Sequence, residues 1–235
     1  MLVRHGQATP FEAETDRLSP LGVRQAEAVA QHWCATGFDA DEVHTGTLER
    51  QQHTAAVVAA SMAAAGQPWP PAVADSGFDE YDGDGIFGTL ATALALRDAH
   101  FRELVAAAEA QRDGPDRNRH FQRMVEHVAQ RWLHGEVTDP MVEAWPQFCA
   151  RVDAAVDRVL DGGRGRRVVV FTSGGVIGRT LQRVLRAPDE SALALNWRVR
   201  NASLTQLTFA DRTRVSLDTF NVTAHLERDG LASYR

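Results

Sequence analysis

The stretch Leu2-Val3-Arg4-His5-Gly6-Gln7 decides the fold of this chain. Its apolar start predicts a buried strand that ends at Arg4 and His5, and Gly6 is able to adopt a positive φ. Side chains at the carboxyl end of a strand in an α/β sheet lie at the crevice where ligands bind. Arginine offers a planar fork of donors that suits phosphate, and a neutral imidazole can act as a nucleophile. The stretch therefore predicts a phosphate site, or else an ordinary strand end that carries two basic residues.

Length and composition favour one large α/β domain. With 235 residues, of which 44% are hydrophobic and 24% charged, the chain can bury a full core, and two domains are not expected. No apolar run is long enough to span a bilayer and no secretory leader is recognisable, so we expect a cytoplasmic protein without a membrane partner. The net charge of −6 argues against nucleic acid as a partner. Cys34 and Cys149 are expected to be buried free thiols.

A unit of strand, polar loop and helix occurs twice in the first third of the chain. Ser19 as N-cap and Pro20 at the first helical position predict a helix that ends near Cys34. A strand over residues 38–44 and a helix over 48–65 repeat the unit, which is typical of a parallel sheet with right-handed crossovers. The first strand is short for its type. A native chain that starts upstream of Met1 is therefore an alternative.

Residues 73–137 contain a candidate third strand, an acidic loop and a helical insertion. The strand is predicted over 73–78. The loop 79–85 could provide a general acid, bind a cation or form a solvated turn, and cation binding is the least favoured of the three because the EF-hand spacing is absent. Helical patterns over 89–111 and 117–137 predict an insertion over about 89–137. We expect it to cover the strand ends and to determine substrate specificity. The four histidines of this segment lack the spacing of metal ligands, so no metal is expected.

The run Val168-Val169-Val170-Phe171 predicts the central strand of a parallel sheet, because it is continuously apolar and β-branched. The small residues 172–175 precede a predicted helix over 176–185, and backbone N–H groups at such a helix start form an anion site. Residues 203–209 and 214–220 predict an edge hairpin. The fold class is α/β: a three-layer sandwich with a mostly parallel sheet, an antiparallel edge and a helical insertion within one domain, 1–235.

Five ordered segments, spread over nearly the whole chain, resemble the histidine phosphatase superfamily, the group that includes cofactor-dependent phosphoglycerate mutases. They are residues 2–7, residues 18–22 with Gln25 and Ala26, residues 45–55, residues 78–81 and residues 220–226. Each alone is a weak signal, but five in the right order at suitable spacing are specific. Fold alone does not establish function, so the site residues carry the rest of the argument.

The resemblance implies a role for each candidate residue. His5 would accept the phosphoryl group, Arg4 and Arg50 would hold its oxygens, and Glu80 would protonate the leaving oxygen. From the sequence alone, Arg50 lies in a first helical turn, where a solvated surface arginine is the commoner case. The resemblance implies no cofactor and no metal, with a small phosphorylated substrate. A homodimer through the hairpin or the insertion stays open.

Ser173 departs from the family, which has a second histidine at this position. A serine can donate to a phosphate oxygen but carries no charge, and loss of a preorganised donor typically costs about 2.7–4 kcal/mol in the transition state. The first loop also departs, since mutases carry an asparagine near Phe11. We expect Gln7 or Thr9 to replace that contact, with Ser173 and Gly174 completing the phosphate site.

Two functions follow from these residues. The first is a phosphatase that hydrolyses a small phosphomonoester through phospho-His5. The second is a catalytically weakened member that binds a phosphorylated or other anionic ligand. Retention of a nucleophile and an acid favours the enzyme, whereas Ser173 favours the binding protein. A phosphoglycerate mutase is a third and poorer option, because the altered pocket is less suited to protecting a phosphoenzyme from water.

Overall fold

A computed structural model describes residues 1–9 and 16–234. The strands of this part are β1 (Leu2–Arg4), β2 (Glu42–Thr45), β3 (Ala72–Ala74), β4 (Val168–Thr172), β5 (Leu204–Asp211) and β6 (Arg214–Val222). The helices are α1 (Pro20–Thr36), α2 (Glu49–Ala64), α3 (Ala91–Ala95), α4 (Ala99–Ala110), α5 (Arg117–Leu133), α6 (Trp145–Asp161), α7 (Gly174–Leu185), α8 (Glu190–Asn196) and α9 (Ala224–Glu227). The loop departure expected near Phe11 lies outside the described residues.

The strands form one mixed sheet in the order β3-β2-β4-β1-β5-β6. Strand β4 pairs in parallel with both β1 and β2, and β2 pairs in parallel with β3. Strand β5 pairs antiparallel with β1 and with β6, which closes the sheet with a hairpin. The predicted fold class, with its parallel centre and antiparallel edge, is confirmed.

Alternate residues of the central strands bury opposite faces of the sheet, as the two-residue period of a strand requires. Val3, Val169 and Phe171 belong to a core shared with α1 and α2. Their neighbours Leu2, Val168 and Val170 face the other way and line a small cavity, of about 50 Å³, together with residues of α6 and α7. The sheet is therefore covered on both faces, which gives the three layers.

Helix α1 begins at Pro20, as its sequence predicts, and ends at Thr36, two residues beyond the predicted end near Cys34. The Ser19 hydroxyl accepts a hydrogen bond from the Gly22 N–H at 3.1 Å, and Pro20 follows at the first helical position. Gly37, with φ 66°, ends the helix in the left-handed region. Between these ends, the helix buries Gln25, Ala26 and Val29.

Several predicted boundaries are wrong. The strand expected over 73–78 is only Ala72–Ala74, followed by a 3₁₀ turn at Ser76–Phe78. The helix expected over 89–111 is divided into a π-helical turn at Gly85–Leu90, α3 and α4, because Asp98 caps a new helix by accepting from the Phe101 N–H at 3.0 Å. Helix α5 ends at Leu133, four residues earlier than expected, and α7 begins two residues earlier. Helices α8 and α9 were not predicted.

The chain divides into two compact units. One comprises Met1–Glu80 with Arg151–Arg235 and contains the whole sheet; the other is Tyr81–Ala150. In the second unit, α4 and α5 pack together, and the His127 imidazole pairs with the Asp98 carboxylate at 2.9 Å. The helical insertion predicted over about 89–137 falls within this unit.

Other expectations concern the cysteines and membranes. Cys34 and Cys149 form no disulfide in the described part of the chain, but both are half-buried rather than buried. The Cys34 thiol contacts the Met62 sulfur at 3.6 Å. Among the described helices, none has the length and apolar character needed to cross a membrane.

The acid sensitivity of the fold should depend on His225. Burial lowers the pKa of this residue from 6.5 to about 4. Its ring stacks on His32, Nε2 donates to the Ala202 carbonyl at 2.9 Å, and Nδ1 is buried without a partner among the described residues. Because the unfolded chain binds a proton more readily here, the free energy of unfolding should fall as the pH drops from about 6.5 to about 4.

Urea unfolding at a series of pH values measures this effect. A single group of this kind contributes a slope on the order of 1 kcal/mol per pH unit. His225→Gln keeps an N–H donor for Ala202 but removes the titration, so its stability should depend less on pH in this window. His100→Gln, at an exposed side chain, is the matched control. Equal slopes for wild type and His225→Gln would contradict the prediction.

Candidate active site

The candidate site lies at the carboxyl ends of β1, β2 and β4. Parallel pairing places Arg4 opposite Thr172 and Thr45 opposite Phe171, so the residues that follow these strands meet at one edge. The His5 N–H donates to the Thr172 carbonyl at 2.8 Å, which continues the ladder one residue beyond β1. His5 and Ser173, the residues that leave the two central strands, therefore lie side by side.

Gly6 is needed for close packing rather than for a positive φ, which corrects the sequence interpretation. It lies outside the positive-φ region, but a Cβ at this position would come within 2.5 Å of the Gly22 carbonyl oxygen. A Cβ on Gly22 would likewise come within 2.1 Å of the Gln7 carbonyl oxygen. The start of α1 thus packs directly on the loop after His5, and only glycine permits this approach at either position.

The hydrogen bonds of His5 determine its tautomer. The side chain is buried, with 6% of the residue exposed. Nδ1 lies 2.7 Å from the Gly6 carbonyl oxygen, which can only accept, so Nδ1 carries the hydrogen. Nε2 accepts a hydrogen bond from Arg50 Nε at 3.2 Å. Nε2 therefore carries a lone pair, as a nucleophile requires, and this lone pair is bonded to Arg50 in the structure.

Arg50 is held from two sides. Its guanidinium pairs with the Asp16 carboxylate, and the Asp16 carboxylate also accepts from the Glu49 N–H at 2.6 Å. Asp16 thereby supplies the acceptor that the N-cap residue of α2, Leu48, lacks. The Thr54 hydroxyl donates to the Arg50 carbonyl at 2.6 Å and accepts from the Gly6 N–H at 3.0 Å. These bonds tie the first turn of α2 to the loop after β1.

Arg4 is the second arginine of the site. It is the last residue of β1, it is buried, and its guanidinium donates to the Val199 carbonyl. Its backbone N–H donates to the Ser203 carbonyl at 3.2 Å. The strand and these two contacts anchor a positive charge next to His5.

Glu80 lies at the start of α7, where the sequence predicted an anion site. Both carboxylate oxygens accept from the Gly175 N–H, each at 3.1 Å. The acceptor for the Gly175 N–H at this helix start is therefore a side chain of the protein itself. Arg151 of α6 fixes the backbone of this loop by donating to the carbonyls of Asp79 at 2.7 Å and Glu80 at 2.9 Å.

Ser173 and Gly174 follow β4 directly. Ser173 is completely buried, and its hydroxyl oxygen accepts from Gln51 Nε2 at 2.8 Å. A Cβ on Gly174 would come within 2.3 Å of Asn196 Oδ1, so this glycine allows α8 to pack against α7. Close packing is thus a physical reason for Gly174 that the sequence interpretation did not include.

Gln7 and Thr9 bond within the loop that follows His5. Gln7 Oε1 accepts from the Ser19 hydroxyl at 2.9 Å. The Thr9 N–H donates to the Arg17 carbonyl at 3.0 Å, and the Thr9 hydroxyl lies 3.4 Å from the same oxygen. Their contact with a phosphate stays a prediction.

Three residues that shape the site were not predicted from the sequence. Asp16 binds Arg50, Gln51 binds Ser173, and Arg151 holds the Glu80 loop. Of these three, only Gln51 could have been identified from the sequence, because a glutamine on the buried side of a helix needs hydrogen-bond partners for its amide. The contacts of Asp16 and Arg151 join segments that are far apart in the chain.

A mostly parallel α/β sheet with a buried histidine and two arginines at its carboxyl edge has the features of a histidine phosphatase. The sequence profile of the histidine phosphatase superfamily (branch 1) matches residues 1–130 and 97–223. The chain belongs to this superfamily. The family resemblance expected from the five segments is confirmed.

Solved structures share the fold at low sequence identity. The alpha-ribazole phosphatase from Shigella flexneri is 18% identical, with a TM-score of 0.63 over 94% of this chain and 95% of that chain. Phosphoserine phosphatase from Entamoeba histolytica is also 18% identical, with a TM-score of 0.62 over 96% and 97%. The phosphoglycerate mutase from Bacillus anthracis str. Sterne is 15% identical, with a TM-score of 0.62 over 97% and 95%. A comparison with curated protein sequences finds no significant match.

Proposed function

We propose that the protein is a phosphatase that hydrolyses a small phosphomonoester through a phosphohistidine at His5, without a metal ion. The observation that supports this proposal most directly is the tautomer of His5. Its Nδ1 donates to the Gly6 carbonyl, so the lone pair lies on Nε2, which faces Arg50. Membership of the superfamily supports this function, and two of the structures that share the fold are of phosphatases.

In the first step, Nε2 of His5 attacks phosphorus, so a P–N bond forms while the bond to the leaving oxygen breaks. The Nε2 lone pair must be released from Arg50 Nε, and the guanidinium then donates to a phosphoryl oxygen instead. Arg4 and Arg50 supply the positive charge that phosphoryl transfer requires. Protonated Glu80 gives its proton to the leaving oxygen, so the alcohol departs neutral.

In the second step, water attacks the phosphorus of phospho-His5 and the P–N bond breaks. The Glu80 carboxylate, left unprotonated by the first step, accepts a proton from this water. Inorganic phosphate leaves, and both His5 and Glu80 return to their starting states. The reaction is balanced with water as the only co-substrate.

A second candidate function is binding of a phosphorylated or other anionic ligand without turnover. Ser173 favours it, because this fully buried residue supplies no charge where the family has a second histidine. The Asp16 carboxylate on Arg50 also offsets positive charge at the site. A binding protein would retain a phosphate ester unchanged in the presence of water, whereas the proposed phosphatase releases inorganic phosphate.

The test of the proposed chemistry is the dependence of Glu80→Gln on the leaving group. The amide oxygen of glutamine can still accept from the Gly175 N–H, so the fold should persist. General acid catalysis is worth about 10²–10⁴-fold, and it matters most for a poor leaving group. We expect kcat/KM for alkyl phosphates to fall by about this factor, and kcat/KM for p-nitrophenyl phosphate to fall far less.

Release of inorganic phosphate from a panel of alkyl and aryl esters measures this difference. The parameter kcat/KM is used because it reports on steps up to phosphohistidine formation, in which Glu80 acts as an acid. Glu103→Gln, at an exposed carboxylate of α4, is the matched control and should leave all rates unchanged. An equal loss for both classes of ester would show that Glu80 is not the acid.

A further inference from the structure

The direction of the Ser173 hydroxyl hydrogen decides what this residue can do for a phosphoryl group. Ser173 is the N-cap residue of α7, a position at which serine usually accepts from the backbone of the first helical turn. Here its side chain makes no such bond, and the Gly175 N–H donates to Glu80 instead. The hydroxyl is therefore not used to cap the helix.

Gln51 fixes the hydroxyl oxygen as an acceptor. The Phe78 carbonyl, which can only accept, lies 3.0 Å from one end of the Gln51 amide, so that end is the NH₂ group. The same nitrogen lies 2.8 Å from the Ser173 hydroxyl oxygen. Its second hydrogen therefore points at that oxygen, and the hydroxyl hydrogen must point elsewhere.

Among the residues that the structure describes, the Ser173 hydroxyl hydrogen has no protein acceptor. The Phe78 carbonyl already accepts from the Thr172 hydroxyl at 2.7 Å and from Gln51, which uses both of its lone pairs. Within residues 1–9 and 16–234, the Ser173 side chain has no hydrogen bond besides the one from Gln51. A substrate oxygen at the neighbouring His5 would be the natural acceptor.

The arrangement of the Gln51 amide lowers the stability of the fold. Gln51 is completely buried, and its Oε1 has no hydrogen-bond partner among the described residues. A buried acceptor without a partner typically costs about 1–3 kcal/mol. Gly46 makes room for this amide, since a Cβ there would come within 1.9 Å of Oε1. Departures of this kind from ordinary stability rules are expected at functional sites.

We propose that Gln51 is a positioning residue that makes Ser173 a donor to a phosphoryl oxygen on His5, in place of the family's second histidine. The inference rests on the proposed phosphatase function. It adds that Gln51 and Ser173 together provide one hydrogen-bond donor for the phosphoryl group. Gln51 acts only through Ser173 and does not touch the substrate.

A double-mutant cycle on purified protein tests the unit, with p-nitrophenyl phosphate as the substrate. Ser173→Ala removes the donor and should lower kcat by about 10²–10³-fold, the usual effect of losing one such donor. Gln51→Met has a similar size and no amide, so kcat should fall about tenfold while KM changes little. In the Ser173→Ala background, Gln51→Met should have no further effect on kcat.

Gln52→Met is the matched control, because Gln52 is the exposed neighbour of Gln51 on α2. Each rate is divided by the concentration of sites that trap phosphohistidine in a single turnover, so partial unfolding does not imitate a catalytic defect. An equal fall in kcat from Gln51→Met in both backgrounds would overturn the proposal. An unchanged kcat in Ser173→Ala would also overturn the proposal, and this result does not depend on whether the Gln51 variant folds.

The cycle also separates this inference from the proposed function. Loss of the phosphatase function would appear as phosphate release that His5→Ala leaves intact, or as no release by wild type. Loss of the inference alone would appear as full dependence on His5 with independent effects at the two positions.

Discussion

Replacing His5 with alanine is expected to abolish the release of phosphate from aryl and alkyl phosphates, while the protein stays folded. The reason is that the proposed intermediate is covalent, and its P–N bond is formed by Nε2 of His5, which the variant lacks. The backbone N–H of His5 still donates to the Thr172 carbonyl in this variant, so the link between β1 and β4 is retained. Phosphate release over a panel of esters at several pH values measures the loss.

A direct readout accompanies the rate. Wild type mixed with radiolabelled substrate and quenched in base should carry label that acid releases, as expected for a phosphohistidine, and His5→Ala should carry none. His100→Ala removes an exposed histidine that no proposed step uses, and it should behave as wild type. Undiminished turnover in His5→Ala would remove the mechanism, whatever the other variants show.

The second large effect is expected at Arg50. Its guanidinium donates to His5 Nε2 and would donate to the phosphoryl group once that lone pair attacks. Arginines that stabilise a transferring phosphoryl group are worth about 10³–10⁵ in kcat, so Arg50→Met should lower kcat by about this factor. Arg50→Lys keeps the charge but not the planar fork, and its kcat should lie between those of Arg50→Met and wild type.

The ion pair with Asp16 complicates Arg50→Met, because it leaves a carboxylate without its partner. The double variant Arg50→Met with Asp16→Asn removes that carboxylate and should remain as slow as Arg50→Met alone. Stopped-flow measurement of phosphohistidine formation compares the two. A double variant that recovers wild-type kcat would show that the uncompensated Asp16, and not the loss of Arg50, caused the defect.

Local sequence signals predicted the parts of the fold that depend on neighbouring residues. The run Val168-Val169-Val170-Phe171 is apolar at every position and rich in β-branched residues, so it predicts a strand covered on both faces, and β4 pairs in parallel on both sides. Ser19, Pro20 and Gly37 determine the ends of α1 through contacts within a few residues. One of the wrong boundaries lies where a single polar residue, Asp98, starts a new helix inside a continuous helical pattern.

By itself, the sequence determined the class of fold and the presence of Arg4 and His5 at a strand end, because periodicity and turn chemistry act over short distances. Only the tertiary structure decided the tautomer of His5, the pairing of Asp16 with Arg50, and the contact of Gln51 with Ser173. The last two are hydrogen-bonded contacts between segments far apart in the chain, which meet only at one sheet edge. The tautomer of His5 depends on the backbone conformation that brings the Gly6 carbonyl to Nδ1, and Arg50 then reaches Nε2 from another helix. The Gln51 and Ser173 side chains are 122 positions apart in the chain, and no local pattern records that they touch.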